Sequence, residues 1–303
     1  MLKKIVIWAL TIVLIPLLVS QFFLPGIEEK EKQFDDHTIK VKQVSKNEVI
    51  ELDLEDYLIG VLAGEMPINF EEEALKAQAV VARTYALKRV KETNVYDVVD
   101  TTKNQVYLDN ERLIKAWGKN YSKNIEKIKK AIADTSHECI FYANKLIDAL
   151  FFSTSVGMTE NSEDIFPHNL PYLRSVSSSW DEKVSPVFKE KYTFKLDKFY
   201  DLLKLPYNNN LIIEKINVTS TGRIKEIKIN GVKFTGTKVQ QLLKLKSNYF
   251  SIDKVGNTIK IETRGYGHGV GMSQYGANGM AKEGYNYLEI IEHYYKDVEV
   301  KKI

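Results

Sequence analysis

"GVLAGEMPINFEEEALKAQAVVARTYAL", residues 60–87, sets two helices end to end and leaves one carboxylate in an awkward place. Upstream, Leu54, Tyr57, Leu58, Val61 and Leu62 recur at i, i+3, i+4, i+7 and i+8, a single helical face. Asp53 with Asp56 resembles a capping box, and Gly64 fits a C-terminal stop. Met66 precedes a proline, which disfavours helical backbone there. Downstream, a second helix is expected from about Phe70 to Val90. Asn69 would cap it, and Glu71, Glu72 and Glu73 would face the positive end of its dipole. Ala74, Ala77, Ala79, Ala82 and Ala86 would let a partner approach it closely.

The glutamate triplet reads as structural. Glu65 does not, because it stands where the first helix ends, and the macrodipole disfavours a negative charge at that end. Apolar neighbours would raise its pKa further by desolvation. Both effects favour the protonated form near neutral pH, which a general acid needs. An ordinary exposed glutamate beside a turn is the other reading, and local chemistry alone does not choose between them.

The 303 residues, 44% hydrophobic and 27% charged, suffice for one large core or two modest ones. A formal charge of +3 gives no reason to expect nucleic acid. "MLKK" precedes "IVIWALTIVLIPLLVSQFFL", a run without charge. Its twenty residues, at ~1.5 Å each, span a ~30 Å hydrocarbon core. Residues 1–24 therefore read as a transmembrane signal-anchor, with Lys3 and Lys4 holding the N-terminus in the cytoplasm. A cleaved signal peptide competes, but the run is long for one and no A-x-A site follows. Residues 25–41, charged and aperiodic, read as a tether. The single cysteine, Cys139, allows no intrachain disulfide.

Beyond residue 90, helices are expected over 111–117 and 121–134, and "ECIFYANKLIDALFFST" reads as a hairpin around Ala143-Asn144-Lys145. Strands fit 212–219, 223–230, 249–253 and 257–262; helices fit 236–246 and 286–295. Short strands interspersed with helices argue α+β. The expected arrangement is two packed subdomains around a substrate cleft, a helix-rich one over 42–150 and a mixed α/β one over 151–303.

Two loops carry polar chemistry. "FFSTSVGMTENSEDIFPHNLPYLRSV", residues 151–176, offers hydroxyls and amides suited to a polyhydroxylated ligand, or to satisfying its own backbone. No G-x-S-x-G elbow supports a serine hydrolase. "RGYGHGVGMSQYGANGMA", residues 264–281, surrounds His268 with glycines but lacks the Lys-Ser/Thr of a phosphate cradle. His137 and Cys139, two apart on an expected strand, share a face, yet two ligands do not make a metal site.

Together these segments resemble the stage II sporulation protein D (SpoIID) and amidase-enhancer-like family, from about Val49 to Val298. The resemblance rests on "AGEMP", "EALKAQAVVARTYAL", "NQVY", "FFSTSVGMTENSEDIF", "PYLRSV", "RGYGHGVGMSQYGANGMA" and "IIEHYYKDVEV", in that order. It implies a membrane-anchored peptidoglycan lytic transglycosylase of forespore engulfment, cutting glycan strands that have lost their stem peptides. The domain would lie outside the cytoplasm, in the intermembrane space around the forespore. Implied partners are a sporulation cell-wall amidase (SpoIIP-like) and a membrane protein (SpoIIM-like), with no cofactor and no nucleic acid. Glu65 falls on the family's catalytic glutamate. Arg83, Gln105, Ser153, Ser155, Thr159, Tyr172, Arg174, His268, Ser273 and Gln274 match positions implied to line the groove. Among them Arg83 would bind saccharide or orient Glu65, Tyr172 would stack on a sugar, and Arg174 would sit near the muramic lactyl group. Val156 stands where relatives carry a second glycine. "VVDTTKN" lacks the Cys/His pair with which some relatives hold zinc, so no metal is expected. A non-catalytic, glycan-binding enhancer of an amidase is the alternative. A hydrolase would need Glu160 or Glu163 as a second carboxylate.

Overall fold

The computed structural model describes residues 37–91 and 95–303. The expected anchor, and the tether as far as residue 36, lie outside the described residues. Strand β1 (Thr38–Gln43) pairs antiparallel with β2 (Glu48–Asp53) and parallel with β3 (Val98–Val99). Alternation turns Ile39 and Val41 fully inward, so residues 38–41 are strand rather than tether.

Helix α1 (Leu54–Glu65) buries the face its spacing announced. The Asp53 carboxylate caps it, accepting from the backbone N–H groups of Glu55 and Asp56. Helix α2 (Glu72–Leu87) starts later than expected. Asn69 does not cap it. Glu71 occupies the cap position, and its N–H donates to Asn278 Oδ1 at 2.8 Å, a tertiary bond in place of a local one. From Ala77 to Leu87 every residue of α2 is buried. Its alanines admit α1 on one side and later elements on others.

Next come α3 (Asn110–Trp117), α4 (Tyr121–Ala133) and a hairpin of β4 (Glu138–Tyr142) and β5 (Lys145–Leu146). Ala143 and Asn144 take φ of 47° and 60°, as a two-residue hairpin turn requires. His137 precedes β4, at φ 63°, and so does not share a strand with the buried Cys139. Strand β6 (Phe151–Phe152) and the short helices α5 (Ser162–Ile165) and α6 (Trp180–Val184) follow.

A second core then forms from one continuous stretch. Strand β7 (Lys189–Lys195) and helix α7 (Leu196–Leu203) precede β8 (Ile213–Val218), β9 (Ile224–Ile229) and β10 (Val232–Thr235). Helix α8 (Gly236–Leu243), β11 (Phe250–Val255) and β12 (Thr258–Arg264) complete it. Its sheets run β10-β9-β8 and β11-β12-β7, all antiparallel, around Leu196, Phe199, Ile227, Val239, Ile259 and Ile261.

The chain then returns to the first core. Strand β13 (Met272–Ser273) pairs parallel with β6, helices α9 (Gln274–Lys282) and α10 (Tyr287–Tyr294) pack on α2, and β14 (Glu299–Lys302) joins β4. The class is α+β.

Between the two cores lies a fully buried ion pair. Arg223, entering β9, faces Glu160 with Nε 3.1 Å from Oε1, and Thr221 also donates to that carboxylate. Arg223 Nη1 donates to Asn248 Oδ1 and to the Gly267 carbonyl. Two charges in low dielectric are tolerable only together. Arg223→Met should cost ~3–5 kcal/mol in urea unfolding, and adding Glu160→Gln should recover most of that loss.

Candidate catalytic site

Glu65 is the last residue of α1, and Met66 leaves the helix in extended conformation. Its surroundings follow from two glycines. The segment Gln105–Leu108 crosses α1 so closely that a Cβ on Gly64 would lie 2.5 Å from the Val106 carbonyl oxygen. One on Gly60 would lie 2.4 Å from the Tyr107 ring. Gly64 therefore serves close approach, not the helix stop its position suggested. The approach brings the Val106 N–H within 2.6 Å of Glu65 Oε1.

Gln105 anchors that segment. Fully buried, it accepts from Tyr57 Oη at 3.1 Å and donates to the Ala82 carbonyl at 3.3 Å, while Tyr107 stacks on Tyr57. From the other side Gln274, the first residue of α9, donates to the Glu65 carbonyl oxygen at 3.2 Å. Burial pushes the Glu65 carboxyl above its ordinary range; the Val106 N–H and the Gln274 amide pull less strongly the other way.

Ser273 sits beside Gln274 and caps α9 by accepting from the Gly276 N–H. Its hydroxyl also lies 2.6 Å from Asp181 Oδ1 and 3.3 Å from the Ser153 carbonyl. Asp181 is fully buried and gathers Ser155 Oγ, Ser155 N–H and Ser178 Oγ as well, with Tyr294 Oη beyond Ser178. Burial raises the Asp181 pKa against those hydrogen bonds. Ser155 and Ser273 thus tie the 153–157 loop to α6 and α9. Half-buried Ser153 stands at the mouth of the same cluster, its hydroxyl 3.3 Å from Thr154 Oγ1.

His268 lies between the rings of Phe152 and Phe166, its Nδ1 accepting from the Val270 N–H. Burial, with Arg223 nearby, drops its pKa to about 4, so the imidazole is neutral at neutral pH. Glu65, Gln274, Ser273, Ser153 and His268 are therefore linked through touching segments.

Other residues of the expected set have different places. Arg83 is fully buried and bidentate to Glu55, at 2.6 and 2.7 Å, and donates to the Glu138 carbonyl. Glu55 is at the opposite end of α1 from Glu65, ~15 Å along the axis. Tyr172 is buried against Tyr142, its hydroxyl accepting from the Asp148 N–H, so it presents no open stacking face. Thr159 is buried and fixes the Arg174 and Val176 backbone. Arg174 is bidentate to Glu163, at 2.7 and 2.5 Å, and holds that carboxyl down at about 2. Glu160 is committed to Arg223. Among the described residues no group of three His, Cys, Asp or Glu side chains is placed to hold a metal.

A family model described as SpoIID, Stage II sporulation protein, matches residues 42–142. The chain is similar to Stage II sporulation protein D of Bacillus amyloliquefaciens, 40% identical over 274 residues, 88% of this chain and 79% of the relative. Its counterpart in Bacillus subtilis (strain 168) is 39% identical over 272 residues, with the same coverage. The amidase enhancer of Bacillus subtilis (strain 168) is 29% identical over 293 residues, 78% of this chain and 39% of that one. These matches and the motif order define a cell-wall-related sporulation class. The chain belongs to the SpoIID family.

Gly64→Ala should push Val106 off α1, cost ~1–3 kcal/mol and remove the N–H bonded to Glu65, seen as a lower melting temperature. The raised Glu65 pKa also makes stability depend on pH. The folded chain keeps a proton that the unfolded chain releases, so stability falls as pH rises from the ordinary value of 4.5 through the raised one. Glu65→Gln should therefore melt higher than wild type near neutral pH. The difference should vanish below the ordinary carboxylate range, in melts recorded across pH.

Proposed function

We propose that the protein is a lytic transglycosylase of the sporulating cell wall, held at the membrane with residues 38–303 outside the cytoplasm. Its substrate is glycan without stem peptides, laid in a cleft between the helix-rich and mixed α/β parts. The single observation that carries this reading is the half-buried Glu65, its pKa raised by desolvation, while Glu160 and Glu163, the two rivals for a second carboxylate, are each tied to an arginine.

The chemistry needs one carboxyl group. Protonated Glu65 donates to the oxygen bridging N-acetylmuramic acid and N-acetylglucosamine, and the bond from that oxygen to the muramic C1 breaks. The carboxylate left behind accepts the proton of the muramic C6 hydroxyl, whose oxygen bonds C1 and closes a 1,6-anhydro ring. Glu65 ends protonated and no water is consumed, so the paired carboxylates of a hydrolase are dispensable. The Val106 N–H stabilises the carboxylate stage, and Gln274 fixes the end of the helix that carries it. Neutral His268 can exchange hydrogen bonds with sugar hydroxyls without adding charge.

The likeness to a protein named amidase enhancer favours a second reading, in which the domain binds glycan and stimulates an amidase without cutting. Amidase-treated peptidoglycan separates the two. Wild type should release anhydro-muramyl ends, lighter by one water than hydrolytic ends, and Glu65→Gln should lower their rate at least ~100-fold. Equal rates would leave only the binding role. The wild-type rate should also fall as pH rises through the Glu65 pKa, because the acid form is the donor.

A further inference from the structure

Beside the glycine-rich loop, on the second core, Thr237, Gln240, Gln241, Lys244, Leu245, Lys246 and Tyr266 line an open surface cavity of about 370 Å³. That size fits one saccharide unit. Lys244 ends α8 at φ 53°, a left-handed turn that sends Leu245 into the core and leaves Lys244 exposed and Lys246 half-buried. Among the described residues neither ammonium has a carboxylate within ion-pair distance, and the cavity lining contains no acid. Lys246 Nζ stands 4.2 Å from the centre of the Tyr266 ring, and that ring is 40% exposed. The lining thus combines two unpaired cations, an aromatic wall, two amides and a hydroxyl.

Its position matters as much as its chemistry. Tyr266 exchanges backbone hydrogen bonds with Thr154, at 3.0 and 2.8 Å, and the Gly267 N–H donates to the Lys246 carbonyl. Ser153, next in the chain, accepts from Ser273 and Tyr275, which flank the Gln274 that holds Glu65. A continuous series of bonded segments therefore runs from the candidate catalytic residue to the cavity. Arg174, the cation expected beside the lactyl group, is neutralised by Glu163.

We propose that this cavity is a distal subsite for a carboxylate-bearing sugar, in which Lys244 and Lys246 bind the lactyl carboxylate of a muramoyl residue. The inference rests on the proposed glycan substrate and gives its peptide-free character a physical cause. Removing a stem peptide turns a neutral lactyl amide into a free carboxylate, and the two ammonium groups read that difference.

The test is binding by full-length protein in detergent micelles carrying Glu65→Gln, so that no cutting intervenes. The probes are a peptide-free muramoyl–glucosaminyl oligosaccharide, the same oligosaccharide with its lactyl carboxylates amidated, and a chito-oligosaccharide of equal length. Lys244→Gln with Lys246→Gln should weaken the first about tenfold, leave the other two unchanged and leave the melting temperature unchanged. Equal weakening of all three probes, or of none, overturns the subsite. The outcome is independent of the anhydro-end assay, since a subsite can fail while Glu65 still cuts, and the reverse.

Discussion

A helix enclosed on every side from Ala77 to Leu87 must find partners for most of its polar groups inside the protein, and the partners of Arg83, Thr84 and Ala82 organise the fold around it. Arg83 is met by Glu55 and the β4 backbone, the Thr84 hydroxyl bonds the Val80 carbonyl, and Gln105 reaches the Ala82 carbonyl from outside the helix. The bonds of Arg83 and Gln105 each fix a neighbouring segment. Through Gln105 the enclosed helix sets the course of residues 105–108, and that course brings a backbone donor to Glu65. A core requirement and the local electrostatics of the candidate site are thus one arrangement.

Glu65 is balanced rather than simply buried. Desolvation holds its proton, while one N–H and one amide keep the ionised form within reach. A carboxyl that must give and then take a proton needs both states accessible. A close ion pair would have pinned it ionised, as Glu163 is pinned by Arg174.

Much of this was legible in the residues, and the failures have physical causes. The apolar spacing of α1, the Asp53 cap and the extended Met66 before proline all follow from local rules, and so does the upward push on the Glu65 pKa. Arg83 was misplaced because a motif position does not say towards which neighbour a long side chain turns. Ser155 and Ser273 read as ligand hydroxyls because their partner Asp181 lies in "SSSWDEK", which looks like exposed, charged surface. Helix α9, "QYGANGMAK", carries two glycines that propensity penalises. Gly276 is required there because a Cβ would meet Tyr294 Oη at 2.1 Å, a contact visible only in three dimensions. Strand β14 is four mostly exposed residues whose only signal is the edge of β4 that they cover.

The first core draws on residues 39 to 176 and again on 270 to 295, whereas the second is drawn from 196 to 261 alone. The later stretch can collapse on its own contacts as soon as it is made. The earlier one is covered by α9, α10 and β14 only when the chain returns to it, and Ser273, at the start of that return, supplies the last donor to the buried carboxylate of Asp181. The surroundings of Glu65 are consequently complete only with the last tenth of the polypeptide, which supplies Gln274.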